Sequence, residues 1–229
     1  MSPFSDLSAT FPDFSIETDL YNKGFKLIAG IDEAGRGALA GPLSLGMVIF
    51  NPSIFSNIPE IIYARIADSK KLSHKKRLQA LSVIQDFSLL YTSVFVPHTV
   101  IDCSNINKAT EIGINKLLAK SRIKPDIIIM DGNFRFKFNI PFISVVKGDN
   151  RSLSIASASI AAKVYRDRIM EKMDNKYPGY DFSRNKGYGT RNHISSIINM
   201  GVSHVHRKTY EPAKSIIEGQ SLLFNEDYI

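Results

Sequence analysis

The stretch GIDEAGRGALAGP, residues 30–42, carries the strongest structural signal in the chain. Two acids, Asp32 and Glu33, follow directly on a short apolar run, and glycines then flank Arg36. Carboxylate oxygens bind hard divalent cations, glycines let bare backbone approach a ligand, and arginine presents a planar fork of donors to phosphate. An ordinary charged turn would explain Asp-Glu alone but not the whole string. We interpret the stretch as a strand end suited to metal and phosphate chemistry.

Outward from this stretch, apolar runs predict strands, and capped segments of helical periodicity predict helices. The predicted strands lie at residues 27–31, 42–50, 89–96, 126–130 and 142–146. The predicted helices lie at residues 73–87, 107–119, 152–173 and 190–200, with a last one from about 212. The run at 126–130 is apolar throughout, which is typical of a strand buried on both faces in a parallel arrangement. The predicted fold class is therefore α/β, a mixed sheet with helices on its faces.

Composition narrows the class of protein. With 229 residues, 44% of them hydrophobic, the chain can bury one sizeable core, and one domain is the default. The net charge of +7 favours a polyanionic partner. A single cysteine, Cys103, excludes an intramolecular disulfide and a cysteine-rich zinc site, and it fits a reducing cytoplasm. No apolar run approaches the length of a membrane span, and residues 1–24 lack the features of a secretory signal.

Two further acids stand where metal chemistry would need them. Asp131 ends the DIIIM strand, and Asp149 follows the PFISVV strand just before the long helix. In open α/β sheets, ligands bind outside the carboxyl ends of the strands, so both acids are expected to approach Asp32 and Glu33. Four carboxylates that lie close together repel unless a cation neutralises them, and Mg²⁺ or Mn²⁺ suits an all-oxygen set. The alternative is that Asp131 and Asp149 are solvated turn residues.

The chain resembles bacterial ribonuclease HII, the type 2 ribonuclease H family. The resemblance covers about residues 25–215 and rests on seven motifs in order. These are GIDEAGRG (30–37), DSKKLS (68–73), MDGN (130–133), KGD (147–149), ASASIAAKVYRDR (156–168), KGYGT (186–190) and HRKTY (206–210). One departure lies in the last motif, where Thr209 and Tyr210 replace the commoner Ser and Phe.

The resemblance implies a ribonuclease H-like mixed five-stranded sheet flanked by helices, with a C-terminal helical extension. It implies a catalytic domain at 25–215, between a partly ordered leader at 1–24 and a tail at 216–229. The implied activity is metal-dependent hydrolysis of the RNA strand of RNA/DNA hybrids and nicking of duplex DNA on the 5′ side of an embedded ribonucleotide. The implied products carry 5′-phosphate and 3′-hydroxyl ends.

Four metal-binding acids are carried over by resemblance. Asp32 would bridge two divalent ions, either Mg²⁺ or Mn²⁺. Asp149 would serve the side of the attacking water, and Glu33 and Asp131 the side of the leaving group. Because one metal lowers the pKa of a bound water, no histidine base is required.

Substrate-binding residues are also implied. The Gly35-Arg36-Gly37 loop would read the 2′-hydroxyl, which distinguishes RNA from DNA. Tyr188, between two glycines, would stack on the sugar at the RNA–DNA junction. Lys70 and Lys71 would contact phosphate, whereas the neighbouring cations at 75–77 are expected to be solvated.

Several features have a plainer interpretation. Lys163 and Asp167, four apart on the long helix, favour a structural ion pair. A zinc site on His193, His204 and His206 is not favoured, because no supporting cysteine or carboxylate pattern accompanies them. The peptide at Gln220–Phe224, QSLLF, resembles ligands of bacterial sliding clamps, although it could instead pack back on the domain.

Three alternatives to this nuclease stay open. The first is the sister class, ribonuclease HIII, although the arginine in Gly-Arg-Gly favours HII. The second is a non-catalytic module that binds hybrids, which would have no need for four mutually repelling acids. The third is a resolvase or transposase on a similar sheet. We expect a cytoplasmic monomer that has no membrane partner.

Overall fold

The computed structural model describes residues 11–66 and 72–219. Its centre is a mixed five-stranded sheet with the strand order β3-β2-β1-β4-β5. The strands are β1 (Ile28–Ala34), β2 (Leu43–Phe50), β3 (Ser88–Val96), β4 (Ile127–Asp131) and β5 (Phe142–Val145). β4 pairs in parallel with β1 on one side and with β5 on the other. All five predicted strands are confirmed, and so is the parallel burial of the DIIIM run, whose residues from Ile127 to Met130 are buried.

Helices occupy most of the remaining described chain, and the predicted ones are confirmed to within a few residues. The helices are α1 (Ser15–Asn22), α2 (Glu60–Ile66), α3 (His74–Phe87), α4 (His98–Cys103), α5 (Ile106–Lys120), α6 (Leu153–Lys176), α7 (Phe182–Asn185), α8 (Arg191–Met200) and α9 (Ala213–Ile217). The predicted caps are also confirmed, since the side chains of Ser73 and Thr190 accept backbone N–H bonds from Lys76 and His193. None of these helices combines the length and apolar character needed to cross a bilayer.

The chain forms two compact units. The first comprises Met1–Asp32, Gly46–Thr92 and Ser121–Ala161, and the second Glu33–Leu45, Ser93–Lys120 and Ala162–Ile229. The boundaries at residues 24 and 215 that the sequence suggests remain a prediction.

An apolar cluster in the first unit supports its parallel strands. Side chains from β1, β4 and β5 meet the start of α6 and the helix α1. The buried members are Leu20, Ile28, Ile127, Ile129, Val145 and Ile155. Burial of such side chains removes apolar surface from water and stabilises the folded state by about 25 cal/mol per Å².

Helix α1 lies within the predicted leader and packs into the first unit. Phe14, just before the helix, is 1% exposed and meets the ring of Phe50 edge-on at 5.1 Å. The buried carboxylate of Glu17 accepts hydrogen bonds from Ser152 Oγ at 2.6 Å and from the Ser154 N–H at 3.0 Å. Burial raises the pKa of Glu17, and these hydrogen bonds oppose the rise. The bonds join α1 to the first turn of α6.

The second unit has its own core around the C-terminal helices. Rings and aliphatic side chains from α6 to α8 pack with the loop after the glycine motif. The buried members are Ala40, Met170, Tyr180, Phe182, Ile197 and Val205. Lys163 and Asp167 form an ion pair at 2.7 Å on α6, as predicted.

A close approach between β1 and α6 requires a glycine. A Cβ atom on Gly30 would lie 2.3 Å from the carbonyl carbon of Ser154. We expect Gly30→Ala to lower the free energy of unfolding by about 1–3 kcal/mol, because the backbone of α6 must shift. Urea denaturation measures this change.

Gly37→Ala is the matched control, because an added Cβ there meets nothing within 4 Å. Its free energy of unfolding should stay close to that of the parent chain. Equal stability of the two variants would contradict the assigned contact between β1 and α6.

Candidate active site

The parallel pairing of β1 with β4 brings two of the predicted acids side by side in the first unit. The register runs from Ile28 opposite Ile127 to Ile31 opposite Met130. Asp32 and Asp131 are the next residues on the two strands, and adjacent strands lie about 4.8 Å apart. Both acids therefore stand at the carboxyl edge of the sheet.

Asp149 reaches the same edge through a short turn. After β5, Gly148–Asn150 forms one 3₁₀ turn, and the Gly148 N–H donates to Asp131 Oδ1 at 2.6 Å. Asp131 is also paired with Val145 of β5. The turn that carries Asp149 is thus bonded directly to Asp131.

Asp32 and Asp149 are both buried. Asp32 is 6% exposed and Asp149 2%, and neither carboxylate oxygen of Asp149 contacts solvent. Glu33 follows Asp32 in the chain, and its Oε2 is also shielded. Within the part of the chain that the structure describes, no group of three or more His, Cys, Asp or Glu side chains is arranged to hold a metal ion.

The glycine loop belongs to the second unit, and two buried arginines hold it. Gly35 has a φ of +89°, and a Cβ there would lie 2.0 Å from Arg166 Nε. The Arg166 guanidinium donates to the carbonyls of Pro42, Ala40 and Lys186. Only glycine fits both the backbone conformation and the contact.

The second arginine, Arg207, bonds the loop itself. Its guanidinium donates to the carbonyls of Gly35 at 2.5 Å and Arg36 at 2.7 Å, with longer bonds to Gly41. Both arginines are 0% exposed. Burial lowers the pKa of Arg166 to about 10 and also lowers that of Arg207. Both guanidinium groups still carry a charge at neutral pH, and backbone carbonyls accept their donors.

The Arg36 side chain points toward α5 within the second unit. Its guanidinium donates to Thr110 Oγ1 at 3.1 Å and to Asn107 Oδ1, and it lies 3.9 Å from the Glu33 carboxylate. The structure therefore shows the Arg36 guanidinium hydrogen-bonded to α5.

Tyr188 lies beside the loop in the same unit. Its hydroxyl oxygen accepts the Gly35 N–H at 3.1 Å, and the cations of Lys163 and Arg166 lie 5.4 and 5.2 Å from its ring centre. These are the distances of cation–π contacts.

A directional chain of hydrogen bonds ends on the Tyr188 carbonyl. The Ser203 backbone N–H donates to His206 Nδ1 at 3.0 Å, so this nitrogen carries no proton. His206 therefore donates from Nε2 to His193 Nε2 at 3.1 Å, and His193 donates from Nδ1 to the Tyr188 carbonyl at 2.9 Å. Both imidazoles are neutral, and desolvation lowers the pKa of His206 to about 4 and also lowers that of His193.

Several predicted contacts lie outside the described residues. These are the phosphate contacts of Lys70 and Lys71 and the clamp peptide Gln220–Phe224.

Sequence reasoning missed Arg166, Arg207 and the paired imidazoles as supports of the loop. All but His193 lie inside the motifs ASASIAAKVYRDR and HRKTY, which were the available signal.

Comparisons with known proteins agree with this architecture. The family described as Ribonuclease HII matches residues 29–212. A ribonuclease HII of Listeria monocytogenes serotype 4a is 42% identical over 198 residues, which are 86% of this chain and 73% of that protein. The crystal structure of ribonuclease H2 from Pyrococcus horikoshii OT3 superposes with a TM-score of 0.70 at 28% identity, covering 84% and 98% of the two chains.

A third similarity shows the fold alone. The RNase HII chain in a PCNA:RNase HII complex from Archaeoglobus fulgidus is 24% identical, with a TM-score of 0.66. It covers 81% of this chain and 95% of that one.

The sheet, the acidic edge and these relatives together define an endoribonuclease, a hydrolase of the ribonuclease H type. Within that class, the chain belongs to the ribonuclease HII family.

The buried imidazole pair predicts a pH-dependent stability. Between about pH 6.5 and 4, the unfolded chain binds a proton at His206 that the folded chain does not bind. The free energy of unfolding should therefore fall as pH drops through this window, by up to about 1.4 kcal/mol per pH unit for one such group. Urea denaturation at several pH values from 7.5 to about 4.5 measures the slope.

His206→Gln should remove this part of the slope, whereas His204→Gln should retain it because His204 is exposed. Identical pH slopes in the parent and in His206→Gln would contradict the neutral, buried state of the pair.

Proposed function

We propose that this chain is a metal-dependent endonuclease acting on the RNA strand of RNA/DNA hybrids and on duplex DNA with an embedded ribonucleotide. In the second substrate it nicks the strand on the 5′ side of the ribonucleotide, leaving 5′-phosphate and 3′-hydroxyl ends. The observation that carries the proposal is the acidic edge, where Asp32 and Asp131 directly follow the paired residues Ile31 and Met130 of adjoining parallel strands and the Asp149 turn is bonded to Asp131.

The donor set fits a divalent metal. Asp32, Glu33, Asp131 and Asp149 supply only carboxylate oxygens, the ligand type that Mg²⁺ and Mn²⁺ prefer. We assign these four acids as ligands of two ions. Bound there, the metal would activate a water and neutralise charge that develops on the phosphodiester. The β1–β4 register and the Gly148 hydrogen bond hold Asp32, Asp131 and Asp149 at one edge despite the repulsion between their carboxylates.

In this proposal the backbone at Gly35–Gly37 recognises the 2′-hydroxyl. Arg207 fixes the carbonyls of Gly35 and Arg36, and the space beside Gly37 is open for at least 4 Å. A hydroxyl is both donor and acceptor, so the exposed backbone at Gly37, next to these fixed carbonyls, suits its recognition. We assign Arg36 the role of holding this loop on α5, and Tyr188 that of stacking on the sugar.

Three further parts of the proposal, namely a phosphate contact, a clamp contact and the state of the protein in the cell, are not carried by the described residues. Lys70 and Lys71 are assigned to phosphate, and Gln220–Phe224 to a sliding clamp, as an RNase HII of Archaeoglobus fulgidus is seen with PCNA. Unchanged clamp affinity after deletion of residues 220–229 would refute the second assignment. A cytoplasmic monomer remains the expected state.

The first experiment uses a labelled DNA duplex that contains one ribonucleotide, incubated with Mg²⁺, with Mn²⁺ or with EDTA. A single metal-dependent nick on the 5′ side is the expected result. Cutting of longer hybrids alone would favour the ribonuclease HIII class, and tight binding without any cutting would favour a non-catalytic module.

Asp131→Asn should lower the rate of this nick by about 100-fold or more, because loss of a metal ligand removes several kcal/mol of charge stabilisation. Asp126→Asn is the matched control, since Asp126 lies just before the opposite end of β4 and accepts only the N–H groups of Lys26 and Leu27. Thermal unfolding of both variants checks the fold. A near-normal rate for Asp131→Asn in saturating Mg²⁺ would refute its role as a ligand.

Gly37→Val should reduce the preference for ribonucleotides with little loss of stability, because the side chain covers the exposed backbone and an added Cβ there meets nothing within 4 Å. The measurement is the ratio of the affinities for a duplex with one ribonucleotide and for the same all-DNA duplex. Gly37 is preferred over Gly35 because any side chain at Gly35 would displace Arg166. An unchanged ratio would show that the loop is not the reader.

A further inference from the structure

A segment of the first unit alternates aromatic and basic residues directly after the acidic edge. It reads NFRFKFN at residues 133–139 and begins two positions beyond Asp131. The three phenylalanines are half-buried, whereas Arg135 and Lys137 between them are exposed. This period of two puts the rings on one side of an extended segment and both cations on the other.

The aromatic side anchors the segment to the edge strand β5. The Phe134 and Phe136 rings stack with centroids 4.9 Å apart, and Phe138 lies 5.5 Å from Phe142 of β5. The Phe134 N–H also donates to Ser144 Oγ at 2.8 Å, and that hydroxyl donates to the Gly132 carbonyl. The backbone that carries the two cations is therefore held in place.

Neither Arg135 nor Lys137 makes an ion pair or a hydrogen bond with another residue of the described ranges. Two more exposed cations, Lys147 and Arg151, flank Asp149 in the same unit. Exposed positive charge thus flanks the acids in the chain, where a substrate of the opposite charge would need neutralisation.

We propose that Arg135 and Lys137, here called the basic ridge, bind the phosphate backbone of the nucleic-acid duplex. The proposal rests on the proposed function, since it adds a binding surface for the same substrate class. Phosphate contacts carry no sequence information, so the ridge would strengthen binding to every duplex to a similar degree. Its aromatic support fixes the backbone that carries both cations, so the backbone loses less conformational freedom on binding.

Counterion release gives the ridge a specific signature. Each phosphate that a protein cation neutralises steepens the dependence of log K on log salt by about 0.9. Arg135→Ala/Lys137→Ala should therefore reduce the slope by about two. Between 50 and 200 mM salt, the variant should lose about tenfold less affinity than the parent chain.

The test measures binding of a labelled all-DNA duplex and of an RNA/DNA hybrid by fluorescence anisotropy in EDTA. Arg122→Ala/Lys124→Ala is the matched control, since it removes the same two residue types at the same spacing before the opposite end of β4. Its salt slope should equal that of the parent. Thermal unfolding verifies that both double variants are folded.

An unchanged slope in the ridge variant, or an equal reduction in the control, would overturn the proposal. Because binding is measured without metal, these results do not depend on cleavage. If the parent chain binds with the expected slopes but never cuts, the proposed function fails while the ridge stands. If it cuts normally and the ridge variant keeps the full slope, only the ridge fails.

Discussion

The parallel register between β1 and β4 is the constraint on which the acidic edge depends. It sets Ile31 opposite Met130, and Asp32 and Asp131 are the next residues on the two strands. A slip of one residue would turn Asp32 to the other face of the sheet, because side chains alternate along a strand. The absence of a side chain at Gly30 lets the backbone of α6 at Ser154 lie close against β1. The packing of apolar strands therefore determines the placement of polar groups.

The glycine loop depends on a different kind of interaction, buried charge bonded to backbone. Arg166 and Arg207 meet carbonyl groups, and each hydrogen bond to a charged donor is worth roughly 1.5–3 kcal/mol. Such bonds offset the desolvation of the guanidinium groups. The planar fork is essential here, since a lysine could not reach three carbonyls in a fixed geometry.

Much of the fold could be predicted from sequence, because its signals are local. The apolar run before Asp131 and the caps at Ser73 and Thr190 identify elements without knowledge of their neighbours. The sequence predicts a partly ordered leader at residues 1–24, whereas helix α1 forms within it. The partners that bury Glu17 lie 135 and 137 positions away, and no local pattern reveals them.

The candidate active site also combines features that local sequence predicts with features that depend on distant partners. Asp32, Asp131 and Asp149 could be placed from the ends of strands, and the structure brings their backbones to one edge. The direction of the Arg36 side chain could not be foreseen, because it depends on where α5 presents Asn107 and Thr110. The imidazole pair was likewise invisible, since His193 and His206 belong to separate segments that meet only in the folded chain.

The long separation between Glu17 and Ser152 also has a consequence during translation. Synthesis proceeds at about 5–20 residues per second, so on the order of ten seconds passes between the emergence of these partners. Until then the Glu17 carboxylate lacks both hydrogen-bond partners, and Asp149 does not yet exist beside Asp131. An endoribonuclease thus completes its acidic edge only after the codon for Asp149 has passed through the ribosome.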